Sequence, residues 1–234
     1  MPSLPRPSLW LFDMDRTLIL LTDAYRVSYG EGIRRVYGVE AEMNPARYAG
    51  RTQPEIVRML VAEQGVPPEV IEAKLSQCFD VQSEVTLSLL EPDLRPRLFP
   101  GVAELLTTMH ARGCALGLVT GTVTAVAREA MQRAGLWECF CITALGEEGP
   151  DRVTLLRLAM QRAVADCGFT GSVKNVVVVG DTPYDVAAGK AIGARTVAVA
   201  NGHHSLETLR AAGPDALLPD FSDLEASLRA LWVE

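Results

Sequence analysis

Two apolar runs far apart in the chain each stop at acidic residues, and this pairing limits the possible fold more than any other feature. Leu9-Trp10-Leu11-Phe12 leads into Asp13-Met14-Asp15, and Val176-Val177-Val178-Val179 leads into Gly180-Asp181-Thr182-Pro183-Tyr184-Asp185. Short apolar runs without polar interruption read as strands buried on both faces. Asp13 and Asp15, two residues apart at a strand end, point to the same side. Like charges so placed repel each other and resist leaving water. A divalent cation relieves both costs, and Mg²⁺ is an ion that one or two carboxylates hold. Ligands of open α/β sheets bind beyond the carboxyl ends of the strands. Four acids at two such ends can therefore share one metal site.

The remaining pattern predicts what surrounds those strands. A helix is expected from about Thr22 to Tyr37, with Tyr25, Tyr29, Ile33 and Val36 on one face and Gly38 ending it. Pro54 to Glu63 and Pro68 to about Leu90 read as further helices, each with proline in its first turn. No strand signal falls between residues 20 and 92, and Pro92, Pro96 and Pro100 close the segment. From there helices and strands alternate. Helices are expected at Val102–Ala111, Thr124–Ala134, Arg152–Cys167, Pro183–Ile192 and near Asp223–Trp232; strands are expected at Ala115–Val119, Cys139–Ala144, Val176 onward and Thr196–Val199. Such alternation predicts an α/β fold, a parallel sheet with helices on both faces, interrupted by an all-helical insertion.

A chain of 234 residues suffices for one full core and a smaller satellite. The net charge of −7 argues against nucleic acid or an anionic membrane as partner. A phosphate ligand stays compatible with it, because a metal and a few cations invert the local field. No segment approaches the length of a membrane span, and the proline-bearing start (Pro2, Pro5, Pro7) lacks the apolar stretch of a signal peptide. Five scattered cysteines, Cys78, Cys114, Cys139, Cys141 and Cys167, give no disulfide framework, so they are expected to be reduced in a cytoplasmic protein. Cys139 and Cys141 read as small core residues.

The motifs resemble those of the haloacid dehalogenase-like hydrolase superfamily. Asp13 to Leu18 matches its Asp-x-Asp-x-Thr-Leu motif, Thr120 after Leu116-Gly117-Leu118-Val119 matches its Ser/Thr motif, and Gly180 to Asp185 matches Gly-Asp-x-x-x-Asp. The lysine of its remaining motif has no clear counterpart. The chain holds three lysines, Lys74, Lys174 and Lys190; the last two lie near the other motifs and fit poorly, and Arg152 is the cation where a helix should begin. The resemblance implies a Rossmann-like core over residues 1–19 and 93–234 and a helical cap over residues 20–92. Its linkers, near Thr17–Thr22 and Pro92–Phe99, are candidate hinges for lid closure.

The resemblance also implies chemistry: Mg²⁺-dependent hydrolysis of a small phosphorylated metabolite, in the manner of the phosphoglycolate-phosphatase-like branch. Asp13 is then the nucleophile and Asp15 the acid/base, with Asp13, the Asp15 carbonyl and Asp181 on the metal. Asp185 either joins the metal site or closes a capping box with Thr182. Thr120 and the Gly121 N–H are expected to bind phosphate at a helix start, with a helix N-cap as the bland alternative for Thr120. Arg152 is either the cation that neutralises the phosphoryl group or an ordinary helix arginine. Arg51 and Thr52 lie in the region of the family's specificity loop, where Arg51 could read a second anionic group such as a carboxylate. Arg16 stands where glycine is common in the family, and a cation there can alter substrate choice. His203 and His204 follow a strand end and border the site or are solvated. Asp15 disfavours the dehalogenase branch, which lacks that residue; a phosphosugar mutase and a non-catalytic phospho-ligand sensor remain as alternatives.

Overall fold

The computed structural model describes residues 8–232; the reading of Pro2, Pro5 and Pro7 lies outside them. Strand β1 (Leu9–Phe12) is followed by four helices: α1 (Thr22–Tyr37), α2 (Pro45–Tyr48), α3 (Gln53–Ala62) and α4 (Pro68–Leu89). The chain continues through α5 (Val102–Ala111), β2 (Ala115–Val119), α6 (Thr124–Arg133), β3 (Ile142–Ala144), α7 (Arg152–Asp166) and β4 (Val176–Gly180). It ends with α8 (Pro183–Ile192), β5 (Arg195–Val199), α9 (Leu206–Ala211), β6 (Ala216–Leu218) and α10 (Leu224–Leu231). The six strands form one parallel sheet in the order β3-β2-β1-β4-β5-β6, the α/β architecture expected from the alternation.

Both faces of the sheet are dry, which is why β1 and β4 carry no polar residue. Leu9, Leu11, Val176 and Val178 face Leu155, Leu156 and Ala159 of α7, while Trp10, Phe12, Val177 and Val179 join a core with Leu105, Leu106 and Leu231. The Trp10 indole donates to the Leu231 carbonyl at 2.9 Å, so its polar edge stays satisfied in that core. The chain leaves β1 for β2 and β3 on one side and returns to β4 on the other. The pair β1–β4 is thus the switch point of the sheet, and a crevice opens at its carboxyl end. Register does the rest: Phe12 pairs with Val179, and Asp13 N donates to Val179 O at 2.9 Å.

Residues 20–92 are helical where they are regular, and the two ends of this segment run side by side. Leu20 N donates to Arg97 O at 3.1 Å, and Phe99 N to Leu18 O at 3.0 Å. Gly38 ends α1 with φ 73°, the left-handed conformation expected of a helix-stopping glycine. Helix α2 escapes the periodicity because it is a single turn, though Asn44 caps it by accepting from Ala46 N at 3.1 Å. Strand β6 and helix α9 are likewise too short to show a period.

Two expectations are corrected. The strand expected over Cys139–Ala144 is confined to Ile142–Ala144, since a 3₁₀ turn occupies Trp137–Cys139. Cys141 and Cys167 are bonded to each other, with Cα atoms 6.1 Å apart, whereas Cys78, Cys114 and Cys139 are free. Cys141 is an exposed residue rather than part of the core. It sits just before β3, and α7 brings Cys167 back beside it; that closeness belongs to the β3–α7 connection and leaves no trace in cysteine spacing. No helix among the described residues is long and apolar enough to cross a membrane.

Candidate active site

The crevice beyond β1 and β4 holds three buried carboxylates. One oxygen from each of Asp13, Asp181 and Asp185 lies within 4.8 Å of the others. The Thr17 hydroxyl sits 3.1 Å from Asp181 Oδ1 and 3.3 Å from Asp13 Oδ2, and with one proton it serves one of them at a time. Asp185 does two things. Its Oδ2 accepts from Thr182 N at 3.1 Å and from the Thr182 hydroxyl at 2.7 Å, completing the capping box of α8. Its Oδ1 is buried, makes no hydrogen bond, and faces the Arg152 Nε as an ion pair at 3.2 Å.

Arg152 is the counter-charge to this cluster. Asp151 caps α7 by accepting from Thr154 N at 2.7 Å, which sets Arg152 at the first helical position, pointing into the crevice. Its Nη1 donates to Asp13 Oδ1 at 2.8 Å and Val119 O at 3.1 Å, and its Nε to Gly50 O at 3.2 Å. Only 8 % of the residue is exposed, so this is a buried cation and not a solvated helix arginine. Burial works against its charge, but Asp13 and Asp185 outweigh that and hold the guanidinium protonated.

Three carboxylates against one guanidinium leave excess negative charge out of water. Burial pushes Asp13 up to about 6, Arg152 pulling it down and Asp185 adding to the rise. Burial, with Asp13 and Asp185 beside it, drives Asp181 well above the ordinary carboxylate range. An all-oxygen donor set carrying more negative charge than its one guanidinium neutralises suits a hard divalent cation. The cluster can hold one.

Asp15 stands apart from these three. Its Oδ1 accepts from Leu21 N at 2.9 Å, on the side of the linker to α1. Desolvation raises it to about 7, against the Leu21 bond and the Arg16 charge, which lower it. The Thr120 hydroxyl accepts from Thr122 N at 3.2 Å; it caps no helix, because α6 starts only at Thr124. Gly121 is accordingly three residues short of the helix start expected there. Its role is room: a Cβ would run into the Arg51 carbonyl and lie 2.8 Å from Thr52 Cα, and its own carbonyl accepts from Gln53 N at 2.8 Å. Gly121→Ala is therefore expected to push the 51–53 loop off the core and destabilise the protein by about 2 kcal/mol, roughly 4–8 °C in Tm. Thermal unfolding checks this, and an unchanged Tm would mean the loop yields freely.

A cavity of about 80 Å³ opens over the acids. Asp13, Asp15, Thr120, Gly121, Arg51, Arg152 and Asp181 line it, and so do Arg16 and His203. Thr52 does not: its hydroxyl caps α3, with Glu55 N at 3.4 Å and Glu55 Oε2 at 3.1 Å. His204 is also outside the lining. Arg51 is engaged within its own neighbourhood, 3.4 Å from Glu55 Oε1 and 3.4 Å from the Tyr184 hydroxyl, with its guanidinium 5.3 Å from that ring's centre. The wall opposite the acids comes from the helical segment: Tyr25, Tyr29, Met43, Tyr48, Gln53 and Ile56. The helical period picked out Tyr25 and Tyr29 only as an inward face; the Tyr25 hydroxyl meets Thr122 Oγ1 at 3.0 Å, bridging the segment to the core.

Known proteins resemble this chain in sequence and in fold. Over 141 residues the chain is 32 % identical to the "Probable phosphatase IndB" of Dickeya dadantii, covering 57 % of each chain. Over 128 residues it is 34 % identical to a phosphoglycolate phosphatase of Synechococcus elongatus, covering 55 % of this chain and 58 % of that one. The chain thus spans a little over half the length of these relatives. A solved structure of β-phosphoglucomutase from Clostridium difficile superposes with a TM-score of 0.76 at 12 % identity, covering 96 % of both chains; at that identity the likeness is one of fold. Residues 9–193, from β1 through the capping glycine of α8, match the haloacid dehalogenase-like hydrolases, and the chain belongs to that family.

Proposed function

We propose that this protein is a Mg²⁺-dependent hydrolase of small phosphomonoesters that works through an aspartyl-phosphate on Asp13. In this reading residues 1–19 and 93–234 are the catalytic core and residues 20–92 a cap that encloses the substrate. The observation that carries it is the Asp13 carboxylate, buried in the acid cluster with Arg152 Nη1 at 2.8 Å. The names of the two relatives support phosphoryl chemistry.

The two carboxylates of the first motif divide the work by environment. Arg152 holds Asp13 nearer the ionised form a nucleophile needs, while Asp15, without such a partner, keeps its proton to about pH 7. Asp13 attacks phosphorus as the bond to the leaving oxygen breaks, and Asp15 gives its proton to that oxygen. Asp15, now a base, takes a proton from water as the water attacks phosphorus and frees Asp13. Arg152 faces the negative charge of the transferring group, and the Thr120 hydroxyl and Gly121 N–H are its candidate donors. Asp13, the Asp15 carbonyl and Asp181, with Asp185 behind them, would hold Mg²⁺, whose chemistry is to neutralise phosphoryl oxygens.

Phosphate release from a panel of small phosphomonoesters, with Mg²⁺ and with excess chelator, tests this reading. Metal-dependent release is expected. Release that ignores chelator would remove the metal from it, and no release from any ester would leave a ligand sensor or a mutase, the latter revealed by isomer conversion.

The acid cluster also predicts how the metal-free protein responds to pH. Asp13 and Asp15 bind protons more tightly folded, at about 6 and 7, than at the ordinary 3.8. Their contribution is therefore fully present below pH 3.8 and is lost as pH rises toward 7. Between pH 5 and 8, without metal, Tm is expected to fall by about 4–8 °C, on the order of 2 kcal/mol. Mg²⁺ should restore Tm more at pH 8 than at pH 5. Equal stabilisation at both values would show that the cluster does not bind the ion.

A further inference from the structure

Three arginines line the cavity, and their surroundings differ. Arg152 is bound to Asp13 and Asp185, and Arg51 lies against Glu55 and Tyr184. The Arg16 guanidinium has no hydrogen bond or ion pair among the described residues, and its Nε is buried without a partner. A buried donor without an acceptor costs free energy. The backbone adds to that cost: Arg16 has φ 63°, the one positive value among the described non-glycine residues. A side chain in the left-handed region is unfavourable, and glycine at this position would relieve both costs at once.

The surroundings fix where this cation stands. Arg16 N donates to Ile19 O at 2.7 Å, so the turn carrying it is closed. Asn201 Nδ2 donates to Thr17 O at 3.0 Å, and Gly202 packs so closely on Asp181 that a Cβ would collide with the carboxylate. His203, next along, lines the cavity and feels the Arg16 charge, as does Asp15. Arg16 therefore belongs to the rim formed by the β1 and β5 loops, beside the acid that would protonate the leaving group.

Resting on the phosphatase reading, we infer that Arg16 is a specificity-determining residue that binds a second anionic group, a carboxylate or a phosphate, on the leaving-group side of the substrate. The planar guanidinium fork matches both oxyanions, and such a group would give the buried Nε the acceptor it lacks among the described residues. Arg51 also keeps a buried Nε without a partner, but Glu55 Oε1 and the Tyr184 hydroxyl hold its terminal nitrogens at 3.4 Å, whereas no described residue holds those of Arg16; the role therefore passes to the residue in the first motif itself.

The test is kcat/KM, with Mg²⁺, for 2-phosphoglycolate, pyrophosphate and p-nitrophenyl phosphate in the wild type, Arg16→Gln and Arg16→Lys. Arg16→Gln is expected to lower the preference for at least one anionic-leaving-group substrate over the aryl ester by about 10- to 100-fold, and Arg16→Lys to restore part of it. The substrate that loses most tells carboxylate from phosphate. Equal losses on all three, with a displaced pH profile, would overturn the inference and leave Arg16 as a modulator of Asp15; no loss on any would overturn it outright. If the wild type hydrolyses none of them, the phosphatase reading fails by itself. Calorimetric titration with pyrophosphate and inorganic phosphate then decides on Arg16. Weakening of pyrophosphate by tenfold or more relative to inorganic phosphate in Arg16→Gln supports the inference, and equal weakening of both refutes it.

Discussion

Asp13→Asn is expected to abolish phosphate release, by at least about 10⁴-fold, while leaving a folded protein. The amide is nearly isosteric, keeps an oxygen that can accept from Arg152 Nη1, and removes one of the buried carboxylates that repel Asp181 and Asp185. It cannot form the acyl-phosphate. Loss of turnover should therefore come with a Tm change of only a few degrees and with a weaker pH dependence of the metal-free Tm, since one of the raised carboxyls is gone. Release rates and thermal unfolding on the same preparation separate the two effects. Activity retained within about tenfold would remove Asp13 as nucleophile and point to direct attack by water.

The second large effect is expected at Arg152, where stability and catalysis should fail together. Truncation to alanine leaves Asp13 and Asp185 without their cation and frees the carbonyls of Val119 and Gly50. Breaking a buried pair from one side costs about 3–5 kcal/mol, partly relieved when the stranded acids take up protons. Asp13 would then titrate higher still, and at pH 7 a protonated carboxyl is no nucleophile. A drop of about 10³-fold or more in kcat is expected together with a lower Tm. Arg152→Lys should fall between the two, because one ammonium can face Asp13 but cannot reach Asp185, Val119 O and Gly50 O in the same geometry. Arg152→Ala with kcat within tenfold of wild type would assign the phosphoryl counter-charge elsewhere.

Arg152 also shows why part of the site was legible in one dimension and part was not. The helix start was readable: Asp151 is a capping residue, and the apolar period begins just after it, so a cation at the first position was foreseeable. That the guanidinium touches Asp13, 139 residues away, and Gly50 of the helical segment follows only from how α7 packs beside β1 and β2. Arg51 and Thr52 illustrate the opposite case. Both lie in a suggestive loop, but Thr52 serves as the N-cap of α3 and Arg51 leans on Glu55, an i,i+4 neighbour that was visible in the sequence. Asp185 closes the capping box with one oxygen, and its other oxygen lies in the acid cluster facing Arg152, because a carboxylate has two oxygens and the box uses one.

By itself the sequence determined the longer helices, the central strands and the acids at their ends, because apolar period, glycine stops and proline starts are local signals read within a few residues; α2, α9 and β6 were too short to carry one. It left undecided everything set by distance across the fold. The tyrosine wall from the helical segment, the pairing of Cys141 with Cys167, the rim where Arg16 meets the His203 loop, and the grip of Arg152 on two acids at once are such features. Each joins residues whose separation along the chain carries no period, and only the packing of the α/β sheet with its helical insertion brings them into contact.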